Sequence, residues 1–144
     1  MTYRKMLGEY RRLNVETAGK LDLVLMCYEK TIEVIRQGKE HLQEQEYEKK
    51  AGKIQKAIDI IHELQNCLNF EQGGQIARNL DSIYNYLVRR LLDGDLKKDA
   101  GAYDEVIGIL SELKEAWEGV AKDRETNGIV QKTRTGLSLA QLAA

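Results

Sequence analysis

The chain has 144 residues, 42% of them hydrophobic and 31% charged, with no proline and a net charge of −1 at pH 7. That length suggests one domain with a real core, burying roughly 70% of its unfolded surface, and the near-neutral balance gives no electrostatic reason to expect nucleic acid. No apolar run approaches the roughly 20 residues that cross a bilayer, and MTYRKMLGEYRR carries charges with no apolar stretch behind them, so neither membrane insertion nor a secretory signal is expected.

Residues 1–16 form an N-terminal segment with scattered apolar positions, in which Met6, Tyr10 and Leu13 share one helical face and suit a short additional helix. The first long amphipathic pattern runs from Lys20 to Gln43, with Thr17 as its expected N-cap. Its main stripe is Leu21, Leu25, Tyr28, Ile32, Ile35 and Leu42, with Val24 beside it. A helix on the surface of a small domain normally buries one stripe. This one is apolar almost all the way round its first turns, because Leu23, Cys27 and Val34 recur on the far side.

The second pattern, from Tyr47 to Leu68, has the stripe Ile54, Ala57, Ile58, Ile61, Leu64 and Leu68. Gly73 and Gly74 read as a turn. The third pattern spans Gln75 to Leu92, with Ile76, Leu80, Ile83, Tyr84, Leu87 and Leu91 inward, and Gly94 is the expected C-terminal stop. Tyr86 and Leu92 fall off that stripe. The fourth pattern, from Ala102 to Lys122, turns Tyr103, Val106, Leu110, Leu113, Trp117 and Val120 inward, with Ile107 and Ile109 flanking on opposite sides. From Asp123 the chain turns polar and ends GLSLAQLAA, so residues 123–144 are expected to be a flexible tail. Short connectors favour antiparallel neighbours, hence an all-α, up-down-up-down four-helix bundle over residues 17–122.

Catalysis finds little support. Di-iron bundles need two Glu-x-x-His pairs, whereas His41 is preceded three residues earlier by Gly38 and His62 by Asp59. His62 reads as an ordinary boundary histidine. Cys27 and Cys67 read as thiols of a reducing cytoplasm, Cys27 having no basic activator in its own turn. No phosphate loop, nucleophile elbow or metal-cysteine spacing occurs, and no cofactor is expected. The feature that stands out is surplus apolar surface, which on a small protein marks an interaction site.

Two stretches carry a family resemblance. TAGKLDLVLMCYEKTI, Thr17 to Ile32, resembles the opening of the first long helix of the flagellar secretion chaperone FliS family, approximately T-A-S-P-E-x-L-[VI]-x-M-L-Y-[DE]-G-A-[IL], with Tyr10 and Val15 at the family's upstream positions. GGQIARNLDSIYNYLVRRLLDGDLKKD, Gly73 to Asp99, is similar without gaps to the family's G-G-x-I-A-x-N-L-x-x-[IL]-Y-x-[YF]-[ML]-x-x-[RQ]-L segment. DEVIGILSELKEAWEGV resembles its last bundle helix. Gly19 and Lys20 replace the usual Ser-Pro, Cys27 stands where leucine is usual, and Lys30 and Thr31 replace Gly-Ala.

The resemblance implies a cytoplasmic export chaperone, not an enzyme. It would bind the disordered C-terminal segment of flagellin, prevent premature polymerisation and present its client to the export gate of the flagellar type III apparatus. The expected contact residues are Leu23, Cys27, Val34, Tyr86 and Ile107 in grooves between helices, with Asn79 and Arg90 as hydrogen-bonding rims. Met6, Tyr10 and Leu13 are expected to lie across the cleft of the empty protein. The competing expectation is a structural homodimeric bundle without a client peptide; a monomer or weak homodimer suits the first reading.

Overall fold

The computed structural model describes the backbone of residues 19–135 and the side chains of residues 21–120 and 122. Four helices follow in order: α1 (Gly19–Gln43), α2 (Tyr47–Asn66), α3 (Phe70–Lys97) and α4 (Ala100–Thr135). Each packs on the next and α4 packs back on α1. Two or three residues join successive helices, so every neighbour is antiparallel, as the sequence predicts. The expected Thr17 cap, Met6, Tyr10, Leu13 and the end of the tail lie outside the described residues.

One continuous interior runs the length of the bundle, and every helix contributes to it. At its centre Tyr28 of α1, Tyr84 of α3 and Trp117 of α4 are all buried. Trp117 Nε1 donates to Tyr28 Oη at 3.0 Å, and the hydroxyls of Tyr28 and Tyr84 share a hydrogen bond of 2.5 Å. A phenol or indole polar atom costs free energy in a core unless it finds a partner, and these three satisfy one another. Burial pushes the Tyr28 phenol up to about 12 and raises that of Tyr84 well above its usual value, because the phenolate is the form the interior disfavours.

The ends of α3 differ from expectation. Gly73 and Gly74 do not separate helices: α3 begins at Phe70, capped by Asn69, whose side chain accepts from the Gln72 amide at 3.0 Å. The break is confined to Gly74, at φ 51° and ψ −124°, a conformation that glycine alone visits readily. Gly94 does not stop the helix either. A Cβ there would lie 2.8 Å from Ala102 Cβ and 3.0 Å from Tyr103 Cε1, so this glycine lets α4 approach α3 closely just after the turn. The stop comes at Lys98, in the left-handed region, whose amide bonds to the Gly94 carbonyl. Beside it Lys50, almost fully buried, donates to Asp95 Oδ1 at 2.5 Å and to the Asp95 carbonyl at 2.9 Å, tying α2 to α3. At the other end α4 continues to Thr135, beyond the expected boundary at Lys122.

Candidate functional site

The apolar far side of α1 does not line a groove. At 100° per residue Leu23, Cys27 and Val34 fall on the same side as Gly38, and Gly38 faces α2 so closely that a Cβ on it would sit 3.0 Å from Ile54 Cδ1. All three belong to the buried core. Their expected role as surface anchors is corrected for this reason: α2 covers them. It does so with a broader face than its sequence stripe indicates, since Ile60 is also buried, on the side of Ala57 and Leu64.

The seam between α3 and α4 is built differently. Tyr86 donates a short hydrogen bond to Glu105 Oε2, and Arg90 Nε faces Glu105 Oε1 at 3.4 Å, with Arg90 Nη1 donating to Asp93 Oδ2 at 3.0 Å. The Tyr86 phenol is raised, first by its bond to the Glu105 carboxylate, which stabilises the protonated phenol. These contacts identify which side of α3 looks toward α4. Ile76, Asn79 and Ile83 share that side with Tyr86 and Arg90.

On α4 the side holding Glu105 also holds Ile109, Leu113, Ala116 and Val120. Antiparallel register, fixed by Gly94 against Ala102 and Tyr86 against Glu105, sets Ile83 level with Ile109 and Leu113. It sets Ile76 level with Ala116 and Val120. Ile76 is 42% exposed, and Ile83, Ile109, Leu113 and Val120 are only partly buried. The result is a row of exposed and partly exposed apolar side chains along this seam, ending at the Tyr86–Glu105–Arg90 cluster.

Three of the sequence-predicted contact residues lie on this side of α3: Asn79, Tyr86 and Arg90. Asn79 is exposed on the rim, where its Oδ1 accepts from Gln75 Nε2 at 2.8 Å. Ile107 is partly buried against the core but sits on the opposite side of α4, toward α1, where Lys114 pairs with Glu29 at 3.5 Å. The cleft on that side, about 340 Å³, is lined by Glu29, Arg36, Lys114 and Glu118 among others. Its charges suit an aliphatic guest poorly.

Sequence reasoning placed Ile76, Ile83, Leu113 and Val120 inward. The available signal was angular. Ile76 and Ile83 lie at the edge of the stripe centred on Leu80, Tyr84, Leu87 and Leu91, on the side of Tyr86, and an edge position is where a stripe meets a groove. Among the described residues no group of three or more metal-ligating side chains occurs, and no helix is long and apolar enough to cross a membrane. His62 is exposed on α2.

Comparison with known proteins bears on what such a seam is for. The family described as flagellar protein FliS matches residues 3–124. The flagellar secretion chaperone FliS of Vibrio cholerae is 35% identical over 121 residues, covering 81% of this chain and 89% of that protein. Its namesake from Salmonella typhimurium is 34% identical over 117 residues, covering 78% and 87%. The Bacillus subtilis protein of that name is 30% identical over 123 residues, covering 83% and 91%.

Proposed function

This chain belongs to the FliS family of flagellar secretion chaperones, and from that premise we propose that it holds the disordered C-terminal segment of flagellin in the cytoplasm, blocks premature polymerisation and delivers its client to the flagellar type III export apparatus. The observation that carries this reading is the row of incompletely buried apolar side chains along the α3–α4 seam, Ile76 being 42% exposed, and the client is proposed to seat in a trough along it. A disordered peptide that folds on binding must recover its ordering cost from buried apolar area. Each fully buried leucine or isoleucine contributes roughly 1.5–3 kcal/mol, so a few anchors along Ile76, Ile83, Ile109, Leu113 and Val120 offset that cost. This is recognition of an amphipathic helix by a groove. Such binding uses no nucleophile, metal or cofactor, and the protein acts as a binder rather than a catalyst.

Polar groups at the trough give it direction. Asn79 exchanges its bond with Gln75 for one to the peptide backbone, and Arg90 offers a cation at the closed end. In the empty protein Met6, Tyr10 and Leu13 cover part of the trough, so that the client displaces them at some cost in affinity. Deleting residues 1–13 then tightens client binding or promotes aggregation; no change in either argues against the cover.

The test of the main reading is calorimetry against the C-terminal forty or so residues of the host's flagellin. A one-to-one complex with a large negative heat-capacity change supports it. Absence of binding, with a stable dimer indifferent to peptide, favours the structural bundle instead.

A further inference from the structure

The seam between α1 and α2 contains a pair of thiols. Cys27 lies on the α2-facing side of α1, in the register of Leu23, Val34 and Gly38, and is buried. Cys67 follows the last turn of α2 and is partly buried. Its amide still bonds to the Glu63 and Leu64 carbonyls, so it keeps the helical register that points it toward α1, alongside Ile60 and Leu64.

The antiparallel register is set by Gly38 against Lys53 and Ile54 and by His41 against Glu46. Followed toward the start of α1 and the end of α2, that register brings Cys27 within about one helical turn of Cys67. At Gly38 the two helices approach closely, a Cβ there lying 3.4 Å from Lys53 Cβ; a disulfide farther along the seam needs a Cβ separation of about 3.5–4.5 Å. Both thiols also lie in the electrostatic surroundings of Tyr84, whose phenol is raised first by burial, then by Tyr28, and least by the two cysteines.

We propose that Cys27 and Cys67 form a reversible disulfide across the α1–α2 seam on exposure to a hydroperoxide. Cys67, the more accessible thiol, reacts first. Its thiolate attacks one peroxide oxygen, the O–O bond breaks, and the leaving hydroxide takes up a proton to become water, giving Cys67 sulfenic acid. The Cys27 sulfur then attacks the Cys67 sulfur, the S–O bond breaks, and a second water leaves with the Cys27 proton. In sum two thiols are oxidised by two electrons and one hydrogen peroxide is reduced to two waters.

The bond links the third turn of α1 to the end of α2, enclosing the rest of α1, the turn and α2. It lies in the seam that is already closed and leaves the α3–α4 trough untouched, so the oxidised protein is a stapled bundle with its groove still open. A cross-link of this span constrains mainly the unfolded chain.

The experiment uses the full chain treated with graded hydrogen peroxide and digested without reduction. The expected result is a monomer in which tryptic peptides 21–30 and 57–78 are joined. Tm should rise by about 5–10 °C and return to its starting value with dithiothreitol. Cys27→Leu, which restores the apolar residue usual in the family, should abolish both changes while keeping the helical circular dichroism; Cys67→Ser should do the same. The proposal is overturned if Cys67 runs on to sulfinic acid, or cross-links two chains, while Cys27 stays a thiol. It is equally overturned if the joined peptides appear but Tm is unchanged or lower.

Discussion

The two seams that flank α2 and α3 treat similar side chains in opposite ways. Between α1 and α2 a second apolar face, Leu23, Cys27 and Val34, disappears into the interior because Gly38 lets the helices close and Ile60 broadens the opposing surface. Between α3 and α4 a close approach is made at the turn end, where Gly94 meets Ala102. Farther along, a cluster of Tyr86, Arg90 and Glu105 spans the seam, and beyond it Ile76 remains well exposed. Apolar content therefore does not identify a binding face by itself. What matters is whether the neighbouring helix carries a matching face and a small residue that lets it come near.

The largest effect that separates the seams is on stability. Leu23→Ala in the closed seam should cost about 2–5 kcal/mol, the range for deleting a buried leucine side chain, measured by urea unfolding. The protein that remains folded should bind client with its original affinity. A loss of affinity without a loss of stability would mean that Leu23 touches the client after all.

The interior hub lies between the seams and should respond to alkali. The Tyr28 phenol is raised from 10.0 to about 12, so its contribution to stability is complete below pH 10 and is lost as pH rises from 10 toward 12. The loss is on the order of 2–3 kcal/mol. Tyr28→Phe should flatten this part of the profile measured by thermal unfolding, whereas Tyr86→Phe, in the exposed cluster, should leave most of it.

Ile76→Asp should reverse the pattern of Leu23→Ala. Affinity for the flagellin segment should fall about tenfold to a hundredfold, or roughly 1.4–2.7 kcal/mol, because a charge must be desolvated in the trough. Tm should move by less than about 2 °C, since the side chain is 42% exposed before the change. The smallest effect belongs to Tyr86→Phe, which removes the bond to Glu105. Exposed polar contacts of this kind contribute little, and stability should stay within about 0.5 kcal/mol. Client affinity should change by less than about threefold.

Much of this architecture is legible in the sequence. The 3.6-residue stripes place Tyr28, Tyr84, Tyr103 and Trp117 inside, and the short connectors between the patterns set the antiparallel order. Helix ends were harder. Gly94 carries the usual signature of a C-terminal stop, yet its role is to admit Ala102, a tertiary requirement that local pattern does not express. Gly73 and Gly74 signal a turn, but a single glycine absorbs the irregularity and the helix resumes.

For the candidate site, the sequence shows which residues share a helix face but not which neighbour that face meets. Asn79, Tyr86 and Arg90 do share the side of α3 that looks toward α4. Leu23, Cys27 and Val34 do not reach a groove, because one helix read alone cannot show how broad its neighbour's face is. Ile107 lies on the other flank of α4: the two flanks look alike in sequence, and the pairing of Lys114 with Glu29 and of Tyr86 with Glu105 shows which neighbour each flank meets.

The most direct test of the α3–α4 trough is site-specific photo-crosslinking. A benzophenone side chain placed at Ile76 is compared with one at Leu96, which is apolar and 82% exposed but lies on another side of α3. With the C-terminal segment of flagellin bound, the probe at position 76 should give a covalent adduct and the probe at position 96 should give none. An adduct from position 96 alone, or equal adducts from both, would contradict the assignment of the client to this trough.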